Sequence, residues 1–283
     1  MENRVVNGAG KLYMVSTPIG HLGDFSFRGV ETLKAATVIA CEDTRHTRRL
    51  LTHYGISAPL VSFHAHSSEQ TIERLLGRIE SGEDVAYVTD AGTPGISDPG
   101  GILAERALAR GLTVVPIPGP AAVMAALAAA GFSADRFVFL GFLPRRGTAR
   151  AEWLGRVAES DMTTVCYEAP GRAAALLTEL AERCGSDRPA ALARELTKLH
   201  EEIRRGTLGE LATYYHEHPP RGEVTLVIGA ARPGAGGRSG AAVESLEDVM
   251  AELKDSGSPA AVAKELSKRL GISRQDAYRL LTR

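Results

Sequence analysis

The apolar run Val85-Ala86-Tyr87-Val88 breaks off into Asp90-Ala91-Gly92-Thr93-Pro94-Gly95-Ile96-Ser97-Asp98-Pro99, ten residues holding two glycines, two prolines and two aspartates. A buried strand that ends this way is how an open α/β sheet makes a ligand shelf. Ligands settle outside the carboxyl ends of the strands, glycine lets main-chain groups approach them closely, and proline holds the loop at little entropic cost. The competing reading is a tight surface turn, which rarely needs such a concentration of turn residues.

Short β-branched runs alternate with helical segments on both sides of that loop. The pattern predicts strands at 12–15, 37–40, 85–88 and 112–115, and helices at 27–35, 44–54, 68–80 and 101–110. In the third helix Ile72, Leu75, Leu76 and Ile79 repeat at helical spacing. Such alternation implies a mainly parallel sheet covered on both faces. Pro116-Ile117-Pro118-Gly119-Pro120 interrupts it, and a small-residue helix opens at Ala121. Beyond lie expected strands at 137–140, 163–167, 190–193 and 224–228 and helices at 149–158 and 172–183.

The chain then changes character. The sequence divides into a tail at 1–10, an N-terminal α/β domain at 11–118, a C-terminal α/β domain at 119–230, a Gly-rich flexible linker at 231–243 and a helical appendage at 244–283. In the appendage Ser258-Pro259 opens a helix with the stripe Val262, Leu266, Leu270. Gly271 ends that helix and Ser273 caps another, a helix-turn-helix outline. Six basic residues, among them Arg274 and Arg279, face two acidic ones from Ser258 onward, which favours contact with nucleic acid.

The formal net charge of the chain is -1, so any nucleic-acid binding depends on local patches rather than on the overall field. Arg45-His46-Thr47-Arg48-Arg49 and Arg145-Arg146 with Arg150 and Arg156 are candidates, and a solvated helix face is the ordinary alternative for each. Aromatic residues make up 5% of the chain, so stacking platforms for loose strands look scarce and recognition of folded RNA is expected instead. Cys41, Cys166 and Cys184 are too few and too scattered for a zinc site or a disulfide framework. With no basic and apolar leader pattern, the expected compartment is the cytoplasm, and residues 121–132 are too short to span a bilayer. No metal site is expected.

Familiar nucleotide signatures are missing. After the first strand comes Ser16-Thr17-Pro18-Ile19-Gly20-His21-Leu22-Gly23-Asp24, with neither Gly-x-Gly-x-x-Gly nor a Walker loop. Proline interrupts a phosphate-cradling nest, so the turn suits a flat or uncharged group better than pyrophosphate.

Seven motifs, in order, carry a resemblance. They are Thr17-Pro18-Ile19-Gly20 with Leu22 and Asp24, Cys41-Glu42-Asp43-Thr44-Arg45, Asp90 through Gly100, Pro118-Gly119-Pro120, Gly141-Phe142-Leu143-Pro144, Tyr167-Glu168-Ala169-Pro170 with Arg172, and Arg194-Glu195-Leu196-Thr197-Lys198. Together they resemble the tetrapyrrole methylase superfamily of class III methyltransferases, and within it the ribosomal RNA small-subunit methyltransferase I family. The resemblance implies two unequal α/β domains with mainly parallel sheets, S-adenosylmethionine folded into the cleft between them, and a homodimer. It also implies transfer of the methyl group to the ribose 2′-hydroxyl of a cytidine in 16S ribosomal RNA, position 1402 in standard numbering, within the 30S subunit. By motif, cofactor contacts fall on Pro18, Asp90, Gly92, Thr93, Ile96, Ala121, Ala122, Tyr167, Val224 and Thr225. RNA contacts are expected at Arg45, His46, Arg48, Arg49, Arg145, Arg146, Arg274 and Arg279. Ala121 and Ala169 depart from the family pattern, where serine is common, and this removes two hydroxyls.

Methyl transfer is an in-line displacement, so positioning dominates, and the weakly nucleophilic hydroxyl needs a proton acceptor. Lys198, Glu42 and Asp43 are the leading candidates, with His46 and Glu168 behind them. Lys198 reads equally well as a surface lysine, and Glu42 and Asp43 as caps of the helix at Thr44. A precorrin-type C-methyltransferase and a non-enzymatic nucleic-acid-binding regulator are the alternatives; the basic appendage argues against the first and retained donor binding would argue against the second.

Overall fold

The computed structural model describes residues 8–231 together with Val262. Residues 232–243 of the expected linker and the appendage with Arg274 and Arg279 lie outside the described residues, Val262 apart.

The first sheet is built from β1 (Lys11–Val15), β2 (Val38–Cys41), β3 (Leu60–Ser62), β4 (Val85–Val88) and β5 (Thr113–Ile117) in the order β3-β2-β4-β1-β5. Every pairing in it is parallel. The reason lies in the strands themselves: β2 and β4 are buried at every position, as strands covered on both faces must be. One face packs under α3 (Glu69–Glu80) and α4 (Gly100–Ala109), the other under α1 (Phe27–Ala35) and α2 (Thr44–His53). Parallel pairing sends all five carboxyl ends to one edge, so the loops after β1, β2 and β4 emerge side by side.

Helix α5 (Ala122–Ala130) follows the Pro118-Gly119-Pro120 turn and packs on the second sheet rather than the first. That sheet contains β6 (Phe137–Phe142), β7 (Thr163–Glu168), β8 (Pro189–Arg194), β9 (Glu202–Thr207) and β10 (Val224–Ile228), ordered β6-β7-β10-β8-β9. Its opposite face carries α6 (Thr148–Glu159), α7 (Pro170–Cys184) and α8 (Leu208–Glu217). The sheet is mixed, not mainly parallel as alternation alone suggests: β6 and β7 run parallel, whereas β7–β10, β10–β8 and β8–β9 are antiparallel. Residues 195–201 are too short for a crossover, so β9 returns beside β8 as a hairpin partner.

Among the strands and α-helices, three lie outside the sequence expectation, namely β3 and β9 and helix α8 (Leu208–Glu217). Both strands are sheet edges, and β9 reads Glu-Ile-Arg-Arg-Gly-Thr with one large apolar residue, the charged composition that protects an edge from further pairing. Helix α8 did carry a signal in Thr207-Leu-Gly-Glu210, a capping box in which each side chain takes the other's backbone N–H.

Candidate active site

The two halves meet at the carboxyl end of β1. Thr17 and Gly92 form an isolated bridge, each N–H donating to the other's carbonyl at 2.9 and 3.1 Å, which ties the loop after β1 to the loop after β4. Gly92 sits at φ +90°, a conformation that favours glycine. Ser16 Oγ donates to Thr93 Oγ1 at 3.1 Å, and Thr93 Oγ1 donates to the Pro120 carbonyl at 3.0 Å. Pro18, Gly92, Thr93, Ala121 and Ala122 are thereby gathered around one point, although they come from three separate motifs.

That point is the amino end of α5. Ala121 occupies its N-cap position and supplies no side-chain cap. Tyr167 stands beside the same place, its phenol close to the backbone of Val123, with Phe139 and Phe142 against its ring at 4.9 and 5.5 Å. Thr225 is directly opposite Tyr167 in the β7–β10 register. Val224 belongs to the core on the other face, under α7 and α8, so only its backbone is available to the junction. Ile96 remains half-exposed in the loop after β4. Uncapped N–H groups, a wide-angle glycine and an aromatic wall suit a polar, flat ligand, which fits the adenosyl and amino-acid parts of the implied cofactor.

Glu42, Asp43 and Lys198 fall into different surroundings. Asp43 caps α2, its Oδ1 accepting the Arg45 N–H at 2.8 Å, and its carboxylate pairs with the Arg45 guanidinium at 3.2 Å. Those bonds hold its pKa below the usual aspartate value. Its own N–H donates to Asp90 Oδ1 at 3.1 Å, which orients Asp90 at the junction. Glu42 is half-buried beside β4. Its Oε1 accepts from Thr89 Oγ1 at 2.9 Å and from Tyr87 at 3.4 Å, and the Tyr87 hydroxyl stands at the same 3.4 Å from Asp98 Oδ1. Burial, chiefly, pushes the Glu42 pKa up, with Asp90 and Asp98 adding to it against the hydrogen bonds from Thr89 and Tyr87.

Lys198 lies on the opposing wall. Its stem packs on the loop after β1: a Cβ at Gly20 would lie 2.5 Å from Lys198 Cγ and 3.1 Å from the Leu196 carbonyl. The His21 N–H donates to Thr197 Oγ1 at 3.0 Å across the same seam. Nζ donates to Glu195 at 2.9 Å and Glu223 at 3.2 Å. Partial burial lowers the Lys198 pKa, but the two carboxylates outweigh it and leave the ammonium raised and charged. Among the described residues no hydrogen bond joins the Lys198 cluster to the Glu42 cluster.

Backbone strain marks the same two loops. Among the described residues, the non-glycine positions with positive φ are Ser97 in the loop after β4, and Glu195 and Thr197 beside Lys198. Such conformations cost of order 1–3 kcal/mol each and persist where surrounding contacts dictate them, which is common at working sites.

Two expected candidates have structural employment. Glu168 is buried on the α7 side, its Oε1 accepting from the Ala169 N–H at 2.7 Å and pairing with Arg172 at 2.5 Å, away from the junction. Arg150 is also buried, held by Glu179 at 2.8 and 3.1 Å and by the Pro144 carbonyl, so it anchors the loop carrying Arg145 and Arg146 rather than joining a patch. Arg145, Arg146, Arg45, His46, Arg48 and Arg49 are exposed, the last four on the outer face of α2 whose inner face is Thr47, Leu50 and Leu51. Tyr87, Thr89, Asp98, Glu195 and Glu223 were not singled out as candidates for these roles; Asp98 stood in the conspicuous loop, but a core tyrosine and a lone glutamate carry no sequence signal. Among the described residues no group of histidine, cysteine and carboxylate side chains has metal-holding geometry, and no helix is long and apolar enough to cross a membrane.

The chain belongs to the tetrapyrrole (corrin/porphyrin) methylases, whose family pattern matches residues 11–212. Within that class it is similar to two proteins named ribosomal RNA small subunit methyltransferase I. One, from Synechocystis sp., is 42% identical over 96% of this chain and 97% of its own; the other, from Xylella fastidiosa, is 43% identical over 95% and 98%. In fold it is similar to uroporphyrin-III C-methyltransferase from Thermus thermophilus, solved with S-adenosylhomocysteine, at TM-score 0.57 and 19% identity, covering 78% of this chain and 97% of that one.

Proposed function

We propose that the protein uses S-adenosylmethionine to methylate the ribose 2′-hydroxyl of a cytidine in 16S ribosomal RNA, position 1402 in standard numbering. The observation that carries this is the junction at which the Thr17–Gly92 bridge, the Pro120 turn and the amino end of α5 converge. The names of relatives above 40% identity over nearly the whole chain supply the substrate class. When bound, the cofactor supplies a methyl group activated by a sulfonium sulfur. Pro18, Asp90, Gly92, Thr93, Ile96, Ala121, Ala122, Tyr167 and Thr225, with the backbone of Val224, would hold it.

Of the acceptor candidates, Glu42 fits the proton. A general base must be free of its proton at working pH yet basic enough to take one, and a carboxyl raised by burial has that character. Glu42 Oε1 is occupied by Thr89 and Tyr87, so Oε2 is the oxygen that receives the hydroxyl proton. Asp43 is committed to α2 and too acidic, and Lys198 is already protonated. Lys198 instead serves as a fixed positive charge against the RNA backbone, alongside the exposed arginines of α2 and Arg145 and Arg146. The same reading carries a cytoplasmic homodimer acting on the 30S particle.

The test is incubation with radiolabelled donor and 30S subunits from a strain lacking the modification, followed by mapping of the label. Label on the 2′-oxygen of the cytidine is expected. Donor binding without transfer to ribosomal RNA, but with transfer to a tetrapyrrole, would establish the precorrin-type alternative in its place.

A further inference from the structure

Beyond Lys198 the second half contains two adjoining cavities of about 270 and 250 Å³ that share Arg194 and Arg221 as walls. Glu195, whose carboxylate holds Lys198 Nζ, lines the first, so the hollow begins where the Lys198 cluster ends. The second is walled by Tyr214 and His218 at the end of α8. None of the seven motifs except the Arg194–Lys198 segment reaches this region.

Its charges do not cancel evenly. Glu195 and Glu223 are held by Lys198, and Glu202 by Arg194 at 2.7 Å and Arg204 at 3.2 Å. Arg221 is exposed and has no ion pair among the described residues. Beside it the Tyr214 ring carries a cation and a second ring. The Arg204 guanidinium lies 3.6 Å over the Tyr214 ring, and the His218 ring lies 4.5 Å from Tyr214 at an interplanar angle of 16°. Both cannot occupy one face of Tyr214 at those separations, so Arg204 and His218 cover opposite faces and the His218 ring ends the stack on its own side. Its Nδ1 sits 3.1 Å from the Tyr214 carbonyl, which fixes the ring, and the residue is exposed. A fixed aromatic plane next to an uncommitted guanidinium is the chemistry that holds a nucleotide, base against ring and phosphate against cation.

We infer that this groove binds a nucleotide of the RNA strand flanking the methylated one, its base on His218 and its phosphate on Arg221. The inference rests on the RNA-methylating function proposed above and adds a contact surface to it, on a different part of the molecule from α2. It also locates a local stacking platform in a chain poor in aromatic residues.

The experiment uses the full chain and 30S subunits lacking the modification. Arg221→Ala should raise KM about tenfold and lower the slope of log affinity against log salt by about one phosphate contact. His218→Ala should raise KM about 5- to 10-fold, whereas His218→Tyr, which keeps a stacking plane, should stay within about twofold of the parent. Donor affinity by calorimetry should be unchanged in all three, which separates loss of the groove from loss of the fold. An active parent with KM and salt slope unaltered in both alanine variants would overturn the groove alone. A parent that binds donor yet methylates no ribosomal RNA would overturn the groove together with the function it rests on.

Discussion

The two sheets reach one working edge by different routes. In the first, parallel pairing brings β1, β2 and β4 to the edge by their carboxyl ends, so Thr17, Glu42 and Asp90 share one topological address. In the second, antiparallel pairing places the end of β8 beside the starts of β9 and β10, so Arg194, Glu202 and Val224 are register neighbours although 30 residues separate the first from the last. The parallel half can gather only loops that follow strands. The mixed half gathers loops that follow and loops that precede them, and that is how Glu195 and Glu223 come to hold the same lysine. The lesson is a division of labour: a rigid backbone shelf on one side and a charged, side-chain-built wall on the other.

Substitutions can break that comparison. The largest effect is expected from Thr93→Tyr, because Thr93 stands between Ser16 and Pro120 and bulk there would part the two halves. Positioning can supply about 7–11 kcal/mol, so a loss of about 10⁴-fold or more in kcat/KM is expected, with donor binding weakened. Next comes Glu42→Gln, at about 10²- to 10⁴-fold for removal of one general base. An acceptor variant that lost clearly more activity than Thr93→Tyr would reverse the ranking of shelf over side chain.

The pH dependence sharpens the second case. As the proposed base, Glu42 would act when ionised, and burial raises its pKa, so kcat/KM should climb as pH rises through a value above the ordinary glutamate range. In Glu42→Gln that acid limb should vanish. The sign for stability is opposite: a raised carboxyl favours the fold at low pH and that contribution is lost as pH rises through its folded pKa. The Gln variant should therefore gain stability relative to the parent on the alkaline side, read from denaturant midpoints at several pH values.

A smaller effect tests the seam. Gly20→Ala places a Cβ against Lys198 Cγ, Thr197 Oγ1 and the Leu196 carbonyl, and the carbonyl cannot swing aside as a side chain can. Overpacking of this kind costs about 1–3 kcal/mol. Adding Lys198→Ala should recover part of that loss in a double-mutant cycle, and strict additivity would show that the two loops do not press on each other. The smallest effect is expected from Arg48→Ala with Arg49→Ala on the exposed face of α2, a several-fold rise in KM for 30S subunits that shrinks at high salt. Salt-independent loss would mean that these arginines serve the fold instead.

Much of this was legible along the chain. Buried β-branched runs show a parallel core because a strand covered on both faces must be apolar throughout, whereas the structure shows Ser26 and Ser68 as the caps whose hydroxyls satisfy orphan N–H groups of α1 and α3. The loop at Asp90 was conspicuous because only backbone-exposing residues build such a shelf. The edge strand β9 was not, since pairing on one side alone asks little of its composition. Nor could any local pattern separate Glu42 from Asp43, adjacent carboxylates of which one caps a helix and the other is buried against Tyr87 and Thr89.

The sequence by itself determined the alternation of elements, because that follows from periodicity, and it pointed to the class of chemistry only through seven ordered motifs that resemble a known family. Tertiary structure alone decided which carboxylate is neutralised and which is free, that Arg150 is an anchor rather than a contact, and that Arg221 and His218 stand together. Electrostatic environment depends on what lies across space, and residues distant in the chain set it.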